Sequence, residues 1–164
     1  MKEIMTGSKV PKDERRRLVH GWLEGISTAE IFHKAHMVRH EKTCNWIFAR
    51  PEFQEWESRT DKIARPKILW IHSGPGFGKT VLCAKVIDHM FENEVLLVYF
   101  FCVADEEPKR QPYAIIRSWI DQLAQANEDA LDIVYKMYEV VKPRAPTPAE
   151  LWRLFKTLGE GPMT

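Results

Sequence analysis

Apolar positions in the first third of the chain recur at the spacing of helices. In the first of these runs Leu18, Val19 and Trp22 fall near one helical face. A capping-box pattern over residues 27–30 then predicts the start of a second helix. A polar stretch, residues 58–66, follows the last run and is expected to be a link. The predicted helical segments are 11–24, 27–39, 43–49 and 51–57.

Two continuous apolar runs in the middle of the chain have the composition of buried strands. Residues 68–72 and 95–101 are rich in aromatic and β-branched side chains. Between them, residues 79–92 carry apolar side chains at helical spacing, and Asn93 is expected to end that helix. Helices are also predicted over 112–126, over 128–141 and, behind a capping box at 147–150, from Pro148 to Gly159.

A glycine-rich loop joins the first apolar run to the helix behind it. It reads Ser73-Gly74-Pro75-Gly76-Phe77-Gly78-Lys79-Thr80. Strand, glycine-rich turn and helix, in this order, are the context of a phosphate-binding loop. Glycines let backbone amides turn inward around an anion, and the helix adds its own free N–H groups and the positive end of its dipole.

The loop therefore predicts nucleotide binding. Lys79 is expected to reach the β- and γ-phosphates, and the Thr80 hydroxyl to coordinate Mg²⁺. Ser73 departs from the full pattern, which has glycine at that first position. The predicted binding residues are Gly74, Pro75, Gly76, Phe77, Gly78, Lys79, Thr80 and Val81.

Composition and charge exclude several classes of partner. The 164 residues include 24 basic and 23 acidic side chains, so there is no overall electrostatic field that would attract nucleic acid or an anionic membrane. Cys44, Cys83 and Cys102 lie far apart, as is typical of a reduced intracellular protein. The sequence has neither a signal-peptide core nor an apolar run of membrane-spanning length. We expect a cytoplasmic protein that binds neither nucleic acid nor membrane.

Short landmarks outside the loop fall in a recognisable order. They are Thr43-Cys44-Asn45-Trp46, Phe53-Gln54-Glu55-Trp56, Leu69-Trp70-Ile71-His72, residues 75–83, Tyr99-Phe100-Phe101 and residues 117–123. In this order they resemble the N-terminal part of NACHT-type P-loop domains, as in fungal NOD-like receptors, and the nephrocystin-like N-terminal domain. The likeness covers roughly residues 36–158 and is most specific around the loop. Cys44 departs from it, because the family usually has glycine there.

The resemblance implies a signal-transducing NTPase switch of the STAND class that binds ATP, or GTP, with Mg²⁺. It also implies that a Walker B strand, with the Mg²⁺-binding aspartate and the residue that activates water, should follow the helix at 151–158. Because the sequence ends at Thr164, we expect an N-terminal piece of such a domain that binds nucleotide without efficient turnover. Two strands without neighbours would need a protein partner or the remainder of the domain.

The predicted fold class is α/β. We expect a partial P-loop NTPase αβα fold, helix-rich and with few parallel strands, preceded by a small helical segment. The expected domains are a flexible tail over 1–10, a helical segment over 11–65 and a partial NACHT-like domain over 66–164.

Three other interpretations stay open on the sequence alone. A small P-loop kinase would suit the length, with Asp105 serving the phosphate acceptor or the metal and with Arg110 and Arg117 nearest to a lid. A non-catalytic interaction module would keep the loop only as a structural turn. A Zn²⁺ site would need one uninterrupted helix to align its four ligands. These ligands would be His33, His36, His40 and Cys44.

Overall fold

The computed structural model describes residues 10–24, 27–40, 43–58, 68–102 and 112–160, and helices are its regular secondary structure there. None of these helices is long and apolar enough to cross a bilayer. In chain order they are α1 Lys12–Leu23, α2 Ala29–Met37, a 3₁₀ helix Asn45–Ala49, α3 Pro51–Glu57, α4 Lys79–Glu92, α5 Pro112–Ala126, α6 Glu128–Val141 and α7 Pro148–Glu160.

The helical part of the sequence prediction is confirmed. Helices α3, α4, α5 and α6 have the predicted bounds, and the others differ only near their ends. Local chemistry explains this accuracy. Pro51 opens α3 at a position where a missing N–H costs nothing, and the Asn127 side chain accepts the Ala130 N–H at 2.9 Å to cap α6.

The predicted α/β fold class is wrong for the described part of the chain, which contains no strand and no sheet. Residues 68–72 and 95–101, the two predicted strands, lack regular secondary structure. The physical reason is that a strand exists only through hydrogen bonds to a neighbouring strand. An apolar run indicates that a segment suits burial, but it does not supply the neighbour.

The chain divides into two compact units. One, the discontinuous unit, combines residues up to Ser27 with residues from Val98 onward, and the other, the loop unit, contains residues 28–97. The predicted domain boundary between residues 65 and 66 and nearly all of the predicted tail lie outside the described residues.

The discontinuous unit is a helical body in which α5 contacts α1, α6 and α7. Its core is almost entirely aliphatic, with Trp22 as its large aromatic member. The Trp22 indole N–H donates to the Arg144 carbonyl oxygen at 2.8 Å, so this buried donor is satisfied. The buried core residues are Val19, Trp22, Leu23, Ile116, Ile120, Leu123, Ala124, Ala130, Leu131, Val134, Leu151, Leu154 and Leu158.

The loop unit has a smaller and more aromatic core. Phe53 lies at its centre with 1% of its surface exposed, together with buried Ile47, Leu82 and Met90. The Phe53 ring meets the Phe48 ring edge-on at 5.3 Å between centroids. This core fixes α3 and the 3₁₀ helix against α4, the helix that begins at the glycine-rich loop.

The predicted capping box at the start of α7 is confirmed. One Glu150 oxygen accepts both the Thr147 backbone N–H and its hydroxyl at 2.8 Å, and the Thr147 Oγ1 accepts the Glu150 N–H at 3.4 Å. The Arg144 guanidinium adds two hydrogen bonds to the same carboxylate, at 2.6 and 2.8 Å. Arg144 first, and then Thr147, hold the pKa of the Glu150 carboxyl well below its usual range.

We expect the substitution Glu150→Gln to destabilise the protein at neutral pH and to do so progressively less in acid. A carboxyl whose folded pKa is lowered stabilises the fold above its unfolded pKa, roughly 4.3. That contribution is lost as the pH falls toward the folded pKa. Thermal melts between about pH 3 and 7 should therefore show a gap between wild type and variant that narrows as the pH falls below about 4.3. The exposed Glu14→Gln is the control, and an equal gap at every pH would contradict the assignment.

Candidate functional site

The glycine-rich loop turns at two glycines in the left-handed region of the backbone. Gly76 has φ of 80° and Gly78 has φ of 75°. Glycine adopts this conformation without the steric cost that a Cβ imposes. Gly78 is also the N-cap of α4, so the turn delivers the chain directly into the first turn of that helix. The sequence prediction that a helix begins immediately after Gly78 is confirmed.

The loop and the start of α4 present a row of free backbone amides. The first hydrogen bond of α4 runs from the Leu82 N–H to the Gly78 carbonyl oxygen, at 2.9 Å. Within the described chain, the N–H groups of residues 76–81 have no acceptor. Residues 72–80 are all exposed, so an anion can reach them. Free amides at the positive end of a helix dipole are a binding site for negative charge.

Lys79 brings a positive charge to the same loop. Its Nζ donates to the carbonyl oxygens of Ser73, at 3.0 Å, and Gly74, at 2.7 Å. These contacts hold the ammonium group against the loop. The Thr80 side chain is exposed one residue later and makes no hydrogen bond within the described residues, so its hydroxyl is free to coordinate a cation.

Phe77 lies at the tip of the loop with 79% of its surface exposed. Its ring lies over Gly74, where an added Cβ would come within 3.2 Å of a ring carbon. Gly74 therefore provides the space that this ring occupies. That the eight residues from Gly74 to Val81 bind nucleotide stays a prediction.

We expect Gly78→Ala to destabilise the loop unit by about 1 to 2 kcal/mol, because alanine at positive φ brings its Cβ close to the following carbonyl oxygen. The matched control is Gly21→Ala inside α1, where an added Cβ meets nothing within 4 Å. Alanine there should stabilise the protein by about 0.5 to 1 kcal/mol. Urea unfolding of both variants measures the two effects, and the same sign for both would contradict this geometry.

Two polar residues in the C-terminal half of α4 hold the helix, and the sequence reasoning missed both. Asp88 accepts a hydrogen bond from the Arg39 guanidinium and contacts His36 Nδ1 at 3.0 Å. His89 Nε2 lies 2.7 Å from a carboxylate oxygen of Glu57, in α3. Two adjacent polar residues, Asp and His, inside an amphipathic helix were the sequence signal that could have revealed these contacts. The residues that they contact lie far away in the sequence. These contacts brace the helix whose first turn forms the candidate site.

A cavity of about 380 Å³ lies beside the loop. Its walls are mainly aromatic and aliphatic, and Lys79 is the charged residue in its lining. Desolvation raises the pKa of the Cys83 thiol, although part of that side chain remains exposed. The lining residues are Phe53, Trp56, Leu69, Trp70, Ile71, Lys79, Leu82, Cys83 and Val86.

The structure does not bring together the residues of the alternative zinc site, and it gives no support to the kinase residues. Helix α2 ends at Met37, so no single helix aligns His33 with His40 and Cys44, and the described residues include no cluster of three potential metal ligands. Arg117 forms an ion pair with Glu24 at 2.6 Å and so is already engaged. Asp105 and Arg110 lie outside the described residues.

Comparisons with known proteins place the chain in a family. The family described as "Nephrocystin 3, N-terminal" matches residues 42–162, which is most of the chain and includes the whole loop. The chain is also 29% identical, over 96 residues, to vegetative incompatibility protein HET-E-1 of Podospora anserina. That alignment covers 57% of this chain and 7% of the fungal protein. No solved structure matches significantly. The chain therefore belongs to the nephrocystin 3 N-terminal family, in agreement with the NACHT-like resemblance of its sequence.

Proposed function

We propose that the chain binds a nucleoside triphosphate, ATP in preference to GTP, through residues 74–81. The observation that carries the proposal is the row of free amides over residues 76–81, next to the Lys79 ammonium. Six N–H donors and one cation on an exposed loop suit a polyphosphate better than a single small anion. The preference for ATP rests on the family and not on any contact.

The same geometry supports a role for Mg²⁺. A phosphate held by the amides would lie next to the free Thr80 hydroxyl, a hard oxygen ligand of the kind that Mg²⁺ prefers. The described residues offer no carboxylate cluster to complete the coordination or to activate water. We therefore propose binding without efficient hydrolysis, because phosphoryl transfer needs both groups in place.

We further propose that this binding belongs to a cytoplasmic NACHT-type signalling switch. Family membership and the partial similarity to the fungal incompatibility protein support this context. In such a switch the bound nucleotide would change the stability of the loop unit, and a protein partner or further chain would respond to that change.

A thermal-shift titration tests the proposal. A ligand that binds only the folded state at about 100 times its Kd stabilises the protein by about 2.7 kcal/mol. For a chain of this size that raises the Tm by roughly 5 to 10 °C. Mg²⁺-ATP should give such a shift, and GTP a smaller one. No shift with any nucleotide would overturn the proposal and leave the loop as a structural turn.

A further inference from the structure

Ser73 stands at the first position of the glycine-rich loop, where the full phosphate-loop pattern has glycine. The positive φ angles of the loop fall at Gly76 and Gly78, and Ser73 is not among the residues with positive φ. The backbone at residue 73 therefore does not need the conformational freedom of glycine, and a side chain there causes no strain. The loop keeps its turn and gains a hydroxyl group.

The Ser73 hydroxyl group is free to meet a ligand. Within the described residues, the loop unit has four exposed serine and threonine side chains. Two of them are engaged locally, because the hydroxyl groups of Thr43 and Ser58 donate to backbone carbonyl oxygens at 2.7 and 2.9 Å. The other two, Ser73 and Thr80, make no side-chain hydrogen bond in the part of the chain that the structure describes. Both of these free hydroxyl groups lie in the loop.

The Lys79 ammonium group lies against the same residue. Its Nζ is 3.0 Å from the Ser73 carbonyl oxygen and 2.7 Å from the Gly74 carbonyl oxygen, and it donates to both. An ammonium group has three N–H donors, so one remains for a ligand. An anion that accepts this third hydrogen bond is held beside residue 73. A hydroxyl group can donate to such an anion, and hydrogen bonds to ionised oxygens are among the stronger ones.

We propose that the Ser73 hydroxyl group donates to the terminal phosphate of a nucleoside triphosphate and so helps the loop to distinguish a triphosphate from a diphosphate. This assignment rests on the proposed nucleotide binding at residues 74–81. The free amides of residues 76–81 are donors for the phosphates that the two nucleotides share. The additional phosphate of the triphosphate needs further donors. The third N–H of Lys79 and the Ser73 hydroxyl group supply them.

This contact would let the proposed signalling switch sense its nucleotide. A ligand shifts an equilibrium between two states only through a difference in its interactions with them. A hydrogen bond that the triphosphate makes and the diphosphate lacks is a difference of this kind between the two ligands. Because the loop is exposed, removing the hydroxyl group should weaken triphosphate binding by about 10-fold, the lower end of the range for hydrogen bonds to charged groups.

Calorimetric titrations with Mg²⁺-ATP and Mg²⁺-ADP test the assignment. Ser73→Ala removes the hydroxyl group and keeps the Cβ, whereas Ser73→Gly restores the full pattern. Both should weaken ATP binding by about 10-fold and leave ADP binding within about twofold of the wild type. Ser73→Thr keeps a hydroxyl group and should keep the wild-type preference for ATP over ADP. The residue is exposed, so the ligand-free Tm of each variant should stay near that of the wild type.

The matched control is Ser58→Ala, which removes an exposed hydroxyl group of the same unit outside the loop and should change neither affinity. Unchanged ATP affinity in Ser73→Ala and Ser73→Gly overturns the assignment and leaves the proposed nucleotide binding intact. Equal losses for ATP and ADP also overturn it, because they indicate a damaged loop. A wild-type protein that binds neither nucleotide overturns the proposed function, and this assignment with it.

Discussion

The substitution Lys79→Ala should remove most of the stabilisation that Mg²⁺-ATP gives to the protein. Hydrogen bonds to charged groups contribute about 1.5 to 3 kcal/mol, so losing the ammonium should weaken binding by about 10- to 150-fold. At a nucleotide concentration of about 100 times the wild-type Kd, the stabilisation would then fall from about 2.7 kcal/mol to roughly 0.3 to 1.4 kcal/mol, with a correspondingly smaller thermal shift. Isothermal titration calorimetry gives the two affinities directly.

The ligand-free protein provides the internal check on this experiment. The Lys79 ammonium contacts only two exposed loop carbonyl groups, which water can satisfy when the side chain is removed. The ligand-free Tm should therefore be nearly unchanged, which separates a lost ligand contact from a damaged fold. Lys136→Ala, at an exposed position of α6, is the matched control and should keep the full nucleotide shift. Wild-type affinity in Lys79→Ala would contradict the assigned role.

The substitution Phe53→Ala should have the largest effect on stability, about 3 to 5 kcal/mol. The ring is 1% exposed and packs among the rings of Phe48, Trp56 and His89, so truncation leaves a cavity that aromatic neighbours fill poorly. The loop unit has few other buried residues, and this loss should unfold it or leave it marginal.

Hydrogen exchange resolved by segment measures where the effect falls. Protection should be lost in α3 and α4, while the core amides of α5 and α6 should keep theirs. Nucleotide binding should weaken as well, because the first turn of α4 forms the candidate site. Val140→Ala, at an exposed position, should change the stability by less than about 0.5 kcal/mol. Uniform loss of protection in both units would show that they unfold together.

The helices were predictable because each carries its own signals. Pro148 and Glu150 mark the start of α7 by interactions within four residues, and the structure forms them as the pattern indicates. The turn at Gly78 and the helix behind it were predictable for the same reason. In each case the groups that must meet are near neighbours in the chain.

The prediction of two strands failed because the hydrogen-bond partners that a strand needs are not its neighbours in the sequence. Ile68 and Trp70 are of residue types that are enriched in strands, but both side chains are exposed. Nothing in the described chain pairs with their backbone. The Tyr99 backbone is satisfied by the Gln122 side chain, which no strand pattern reveals. The contact between Asp88 and Arg39 is also long-range and needed the structure.

The position of α1 in the discontinuous unit affects how the protein is made. Its ion pairs from Lys12 to Glu128 and from Arg15 to Asp132 join segments more than 100 residues apart in sequence. A ribosome that adds 5 to 20 residues each second needs roughly 5 to 20 seconds after α1 before it has synthesised α5 and α6. During that interval the α5 and α6 side chains that bury Val19 and Leu23 have not been made. Residues 28–97, by contrast, are synthesised as one continuous stretch that contains the whole of the loop unit. We therefore expect the nascent chain to expose the apolar face of α1 for seconds, during which chaperones that bind apolar segments have access to it.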